Sequence, residues 1–351
     1  MPFRRTLVVA LLSALPMLSA AAADATAPAP EKIKWVLPWK DGVSLTYAED
    51  HATTDETKPQ RERSRSTSNT VIRITESSAD GFVQTWTGSG YKYEVLEGDK
   101  VEEARMKAFA SALEDLPVEA QLDAAGNFTK LRNIDVIAPR VRTASRPLVE
   151  GMIEDALAQI PDEKVRAQKR AEAASMVDRA MDTMVSPAMM ESILSRDLSW
   201  YNGFVGIDLE PDMEYGVDVD LPNAAGGPAI PAKLTFSLSV SEDSPDDIFV
   251  VYEQAMDSEK AQAALRANAV RLTGEEAQKA LANVEISVKD EGLFVVHRPT
   301  GVVEMFESTR TTTVSGKEKV ERTRLRLLNG DHDHVWKDEE AAAPQAPAKD
   351  A

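Results

Sequence analysis

The chain contains no cysteine, and this absence excludes every chemistry that depends on a thiol. Disulfides, thiolate zinc sites, iron–sulfur clusters and cysteine nucleophiles are therefore ruled out. Aromatic residues are scarce at 6%, yet 43% of the 351 residues are hydrophobic, which predicts a folded protein rather than a disordered one. Basic residues are in deficit, and the net charge of −18 argues against general nucleic-acid binding, because phosphate binding needs a basic face.

Local catalytic and cofactor-binding motifs are missing as well. The sequence has no P-loop, no G-x-G-x-x-G turn, no H-E-x-x-H helix and no G-x-S-x-G elbow. We therefore predict no cofactor and no catalytic residue, and we favour binding over catalysis. A periplasmic hydrolase with dispersed carboxylates or metal ligands would leave no such signature and stays an alternative.

The first residues have the three parts of a secretory signal peptide. Arg4 and Arg5 form a basic start, Leu7–Leu18 is mostly apolar, and Ser19–Ala23 is a run of small residues. The apolar run is shorter than the roughly 20 residues that span a bilayer, which favours cleavage over a retained membrane anchor. Removal of 1–23 takes two positive charges from a net −18 and leaves −20. We predict a periplasmic or secreted protein without a transmembrane segment in the mature chain.

The rest of the chain reads as one long structured region with polar flanks. We predict that 24–42 is a linker and a lead-in to the first strand, and that 43–329 is a single domain. We predict that 330–351 is a disordered acidic tail rich in Pro and Ala. No linker-like break separates the halves of 43–329, and a boundary near 198–212 is the alternative.

Within this region the hydrophobic period changes from two to about 3.6 and back again. The apolar residues of 145–197 recur as a helical stripe, and a shorter helix is predicted at 101–114. Strand-like alternation surrounds them, at 70–75, 82–87, 91–96, 213–220, 231–240, 247–254, 284–289, 293–298, 302–314 and 318–329. Since strands and helices do not alternate one by one, we predict an α+β fold with a mainly antiparallel sheet packed against a central helical block.

Two β-turn-β units carry a resemblance to known proteins. LDAAGNFTKL, around Gly126, and HRPTGVVEMF, around Gly301, each read as a strand, a turn and a second strand. With the export signal, they resemble uncharacterised secreted bacterial envelope proteins whose curved antiparallel sheets form half-barrels similar to lipoprotein-carrier folds. The resemblance covers 115–135 and 284–329 and implies a curved sheet. It transfers no site residues, and the long helical block departs from the simplest half-barrel.

The histidines offer a candidate metal site. His332 and His334 lie two residues apart in the run DHDH, so in an extended segment both imidazoles project to one side and can share a divalent metal. The alternative is a polar stretch before the tail. His297 is predicted to be an ordinary strand residue.

Acidic residues alternate along a second segment that includes Asp208, Glu210, Asp212, Glu214, Asp218 and Asp220. On an extended strand such a run can gather oxygen ligands for Ca²⁺ or place two carboxylates for sugar hydrolysis. No EF-hand spacing accompanies it. In so acidic a chain, the favoured interpretation is a solvated charged run.

Arg61, Arg63 and Arg65 are a local exception to the acidic balance. On an extended strand they would align three guanidiniums towards a phosphate or an acidic partner. We favour a second interpretation, in which the charges guard an exposed strand edge or loop against aggregation.

Methionine is concentrated in the helical block. Met152, Met181 and Met184 are candidates to line a ligand site, because methionine adapts to irregular apolar surfaces. A plain helix-on-sheet core accounts for the same residues. The sequence thus predicts a non-catalytic envelope protein that binds a lipid-like ligand or a protein partner. A ligand carrier predicts a sizeable apolar cavity between the sheet and 145–197, whereas a structural domain without ligand, the third alternative, predicts a solid core.

Overall fold

A computed structural model of the protein describes residues 32–221, 230–240, 242–260, 262–263 and 284–328. Its strands are β1 (Ile33–Lys34), β2 (Ser44–Asp55), β3 (Glu62–Ser78), β4 (Gly81–Glu97), β5 (Val118–Leu122), β6 (Phe128–Leu131), β7 (Asp208–Leu209), β8 (Glu214–Leu221), β9 (Ile230–Val240), β10 (Asp247–Met256), β11 (Ile286–His297), β12 (Val302–Val314) and β13 (Lys317–Leu327). Its helices are α1 (Lys100–Leu113), α2 (Ile134–Ala158), α3 (Glu163–Met184) and α4 (Pro187–Asn202).

Eleven of the strands form one antiparallel sheet in the order β6-β5-β4-β3-β2-β13-β12-β11-β10-β9-β8, and β1 pairs with β7 apart from it. Early and late strands therefore meet in the middle of the sheet, where β2 pairs with β13 from Tyr47 opposite Leu327 to Asp55 opposite Lys319. The prediction of an antiparallel α+β fold is confirmed. The arginine triplet was predicted at an exposed strand edge or in a loop, and Arg61 does lie in the exposed loop before β3. For Arg63 and Arg65 the prediction is wrong, because β3 lies inside the sheet between β2 and β4.

β11 is continuous where the sequence suggested two strands, 284–289 and 293–298. Gly292 lies within the strand, directly opposite Tyr252 of β10. A Cβ at Gly292 would come within 2.3 Å of the Tyr252 ring. Gly292 is thus not a turn residue. Because it has no side chain, it leaves room for the aromatic ring of Tyr252 on the neighbouring strand.

The inner face of the sheet, defined as the face that carries the main apolar core, is covered by α4 and by the segment around Trp35. Tyr47, Phe294 and Phe306 project from it and are almost fully buried. From α4, Tyr201 packs edge-on against Tyr47, and the two hydroxyls lie 2.7 Å apart. Burial raises the pKa of both tyrosines, so they stay neutral hydrogen-bonding groups.

The helices also pack among themselves and form a second, smaller core. Its buried residues are Leu116, Ile137, Ala138, Val177, Met181, Val185 and Met190. Side chains cap the first turns of two of these helices. At the start of α3, the Asp162 carboxylate accepts hydrogen bonds from the backbone N–H groups of Lys164 and Val165. At the start of α4, Ser186 is the N-cap ahead of Pro187. Of the helices, α4 is the one that supplies buried residues to the main core, namely Leu198 and Tyr201.

Farther along the inner face, the sheet becomes polar. Asp290 of β11 is buried and receives two hydrogen bonds of 2.8 Å from the guanidinium of Arg310 on β12. Nearby on β2, His51 lies 3.0 Å from the Thr323 hydroxyl of β13. Charged and hydroxyl side chains therefore pair with one another across this part of the inner face.

Two buried tyrosines allow a matched test of hydrogen bonding in the main core. Among the described residues, the Tyr252 hydroxyl has no hydrogen-bond partner, whereas the Tyr47 hydroxyl donates to the Val303 carbonyl at 2.8 Å and contacts Tyr201. We expect Tyr252→Phe to raise the free energy of unfolding by about 1 kcal/mol, because it removes a desolvated polar group. Tyr47→Phe should lower it by about 1–2 kcal/mol. Urea unfolding followed by tryptophan fluorescence measures both, and a destabilised Tyr252→Phe protein would contradict this account.

Candidate ligand-binding groove

α1 has one face turned to the protein interior and another turned to α2. Ala110 is buried and Leu113 packs against the helical core, as the stripe predicted at 101–114 implies. Ala104, Ala108 and Ala112 recur every fourth residue and therefore share the other face. Their short side chains leave space between the two helices.

That space is an apolar groove of about 640 Å³ between α1 and α2. Its volume is within the range of about 300–1,000 Å³ that is typical of small-molecule sites. The lining residues are Ala104, Arg105, Ala108, Phe109 and Ala112 of α1, and Arg140, Thr143, Ala144, Pro147 and Leu148 of α2. The apolar cavity thus lies between two helices, and not between the sheet and the 145–197 segment as the sequence suggested.

An arginine connects the two helices at each end of the groove. The Arg105 guanidinium on α1 donates to the Asp155 carboxylate on α2 at 2.5 Å. At the other end, Arg140 of α2 donates through Nε to the Ala112 carbonyl of α1 at 3.1 Å. Because Arg105 and Ala112 lie about two turns apart, the groove is about 10 Å long. The floor is apolar, and each end has a cation.

Glycine and proline on α2 shape the wall of the groove. The Arg105 side chain crosses Gly151 so closely that a Cβ there would lie 2.8 Å from the guanidinium Nε. Pro147, inside α2, has no N–H to donate to the Thr143 carbonyl one turn earlier. Thr143 and Pro147 both line the groove, so this interruption of the helical hydrogen bonds lies at its wall.

Of the three methionines that the sequence analysis names, the structure describes the side chain of one. Met181 is fully buried in the helical core, in the same cluster as Ile137 and Val177. The side chains of Met152 and Met184 lie outside the described part of the structure. Among the described residues, the α1 wall of the groove is formed largely by alanines and Phe109, and the alanine spacing on α1 was the available signal in the sequence.

The predicted metal ligands, His332 and His334, lie outside the described residues. His297, at the end of β11, places Nδ1 2.8 Å from the Thr300 hydroxyl. Within the described ranges, no group of three His, Asp or Glu side chains is arranged to hold a metal ion.

The acidic run is divided between a short strand and an edge strand. Asp208 belongs to β7 and pairs with Lys34, whereas Glu214, Asp218 and Asp220 alternate along β8. Asp218 lies directly opposite Lys233 of β9. Asp218 and Asp220 line a surface cavity of about 470 Å³, and Asp257 and two lysines, Lys233 and Lys260, line it as well.

Comparison with solved structures finds a weak likeness. A structure of lipovitellin, described as showing lipid–protein interactions, aligns with 82% of this chain at 11% identity and a TM-score of 0.39. The chain spans about a quarter of the length of that protein, since the match covers 25% of it. No family model and no curated protein matches the sequence. Among the described helices, none is long and apolar enough to cross a membrane.

Proposed function

We propose that the protein is a non-catalytic binding protein of the cell envelope, and that it holds an anionic amphiphile in the α1–α2 groove. The observation that carries the proposal is the combination of an apolar floor with an arginine at each end. An acyl chain between the helices would remove apolar surface from water, and a carboxylate or phosphate head would meet a guanidinium. The signal peptide predicted from 1–23 supports a place outside the cytoplasm.

The length of the groove limits the length of chain that it can bury. Each CH₂ that enters an apolar site contributes about 0.8 kcal/mol, or roughly a fourfold gain in affinity. We expect the affinity for straight-chain carboxylates to rise from hexanoate to decanoate. It should level off once the chain is longer than the groove, because further CH₂ groups stay in water. Isothermal titration calorimetry of the series measures this dependence, and decanol should bind more weakly than decanoate.

A tryptophan placed in the groove provides the structural test. Ala108 is exposed on α1 and lines the groove, so Ala108→Trp should fill the space with little strain on the core. We expect at least a tenfold loss of decanoate affinity. Ser111→Trp is the matched control, because Ser111 is exposed on the same helix and does not line the groove. Equal decanoate affinity in the two variants would refute the assignment of the groove.

A further inference from the structure

The outer face of the sheet, opposite the main core, carries a concentration of arginine that the groove does not explain. Arg63 and Arg65 of β3 lie on one side of β2, and Arg322, Arg324 and Arg326 of β13 lie on the other. The registers align them: Arg65 and Arg322 both pair with Ala52 of β2. We call these five residues the arginine face.

The spacing of the strands makes the arginine face broad. Neighbouring strands lie about 4.8 Å apart, so the two rows are separated by about 10 Å, and residues within a row are about 7 Å apart. Between the rows, β2 presents the small side chains of Ala48, Ala52 and Thr54, together with the carboxylate of Asp50. The two rows of guanidiniums therefore flank a strand whose side chains on this face are mostly short.

The charge of this face is only partly neutralised. Arg65 pairs with Asp50, and Arg324 pairs with Glu307 at 2.8 Å. In the described part of the chain, Arg63, Arg322 and Arg326 are exposed and form no ion pair. Glu94, opposite Arg65, and Glu97, opposite Arg63, are the third and fourth carboxylates on the face. The five arginines still outnumber the four carboxylates, in a protein with a net charge of −18.

Two exposed leucines border the arginine face. Leu328 lies two residues after Arg326 and is 46% exposed. Leu96 is the bulged residue of β4 beside Arg63 and is 48% exposed. A site for one phosphate would gather its guanidiniums around a point, whereas these are spread over two strands with a third between them. A broad surface of cations with apolar side chains at its margin is complementary to the surface of an anionic bilayer.

From this arrangement we infer that the arginine face docks the protein on anionic lipid headgroups, with Leu96 and Leu328 entering the interface. The acidic remainder of the protein would be repelled by the same surface. Opposite charge on the two sides therefore orients the molecule with β2, β3 and β13 towards the lipid. This docking does not depend on an amphiphile in the α1–α2 groove.

Vesicle co-sedimentation of the full chain tests the inference. We expect binding to phosphatidylcholine vesicles that contain about one third phosphatidylglycerol, and at least tenfold weaker binding to pure phosphatidylcholine. Raising the ionic strength from about 0.05 M to about 0.5 M should weaken the binding, because exposed charges are then screened. Equal partition onto both kinds of vesicle would overturn the inference.

Two sets of variants separate a membrane from other polyanions. Arg63→Gln/Arg322→Gln/Arg326→Gln removes the guanidiniums without ion pairs and should weaken vesicle binding at least tenfold. The control Lys34→Gln/Lys130→Gln/Arg298→Gln makes the same charge change at exposed positions outside the face and should bind as the native protein does. Leu96→Ser/Leu328→Ser should weaken vesicle binding as well. Binding to soluble polyphosphate without binding to anionic vesicles would instead identify a linear polyanion and overturn docking on a membrane.

Discussion

The free energy of unfolding should fall as the pH rises from 5 to 8, and Glu304 should be the cause. Glu304 is buried in β12 at 1% exposure, and burial together with the nearby charge of Asp247 raises its pKa to about 8. In the unfolded chain the pKa is near 4.5. The folded protein therefore keeps a proton that the unfolded chain has lost, and stability is highest below the unfolded pKa. It decreases through this window by roughly 2–4 kcal/mol.

A β-bulge places this carboxyl in the interior. Val295 pairs with Met305 and Val296 pairs with Val303, so Glu304 is the extra residue between them. Glu304→Gln should flatten the pH dependence between 5 and 8 and raise stability at pH 8, measured by urea unfolding across that range. Glu318→Gln, at an exposed position on β13, should leave the slope unchanged. Carboxylates with a lowered pKa, such as Asp55 and Asp123, affect stability only below pH 5. They therefore do not account for a slope between pH 5 and 8, and an unchanged slope in Glu304→Gln would contradict the assignment.

Replacement of Gly301 by alanine should destabilise the protein by about 3 kcal/mol or more, close to the largest effects of single substitutions. Gly301 has a φ of +71°, and a Cβ there would lie 1.8 Å from the Val36 carbonyl oxygen. The same glycine accepts a hydrogen bond from the Trp35 indole at 2.9 Å. To relieve this clash, the segment that packs Trp35 against Phe294 would have to move, and the contact between the two rings would be disturbed.

Gly316 provides the matched control for this substitution. It also occupies a hairpin turn with positive φ, at +81°, but no heavy atom lies within 4 Å of its Cβ position. Gly316→Ala should therefore cost only the left-handed backbone strain, about 1 kcal/mol. Thermal unfolding of the two variants should show a much larger drop in Tm for Gly301→Ala. Equal drops in Tm would mean that the close approach to Val36 does not contribute to the destabilisation, and would contradict this account.

The strands with one apolar and one wet face were predictable, because their alternation is visible in the sequence. Val302–Val314 is an example, and it forms β12 as expected. The polar half of β3 was not predicted, because Ser64 and Ser66 face inwards where the inner face is hydrophilic, and no apolar alternation remains. The start of α2 was missed for another reason, since Pro139 and Pro147 lie inside that helix.

The groove and the arginine face depend on contacts between distant parts of the chain. The alanines of α1 are visible in the sequence, but their partner surface on α2 follows only from the packing of two helices. Likewise, the sequence shows two alternating runs of arginine, one that includes Arg63 and Arg65 and one in β13. Their common surface requires β2 and β13 to pair, and neither run carries information on that pairing.

The pairing of β2 with β13 has a consequence for the order of assembly. It joins residues such as His51 and Thr323 across nearly the whole domain, and contacts of such sequence separation are slow to form. Until β13 is available, the strands before α2 and those after α4 are two half-sheets, each with an unpaired edge in the middle of the future sheet. Such edges invite pairing with other chains. A chain that ends before Lys317 would keep both edges open, so β13, the last strand that the structure describes, is the one that closes the sheet.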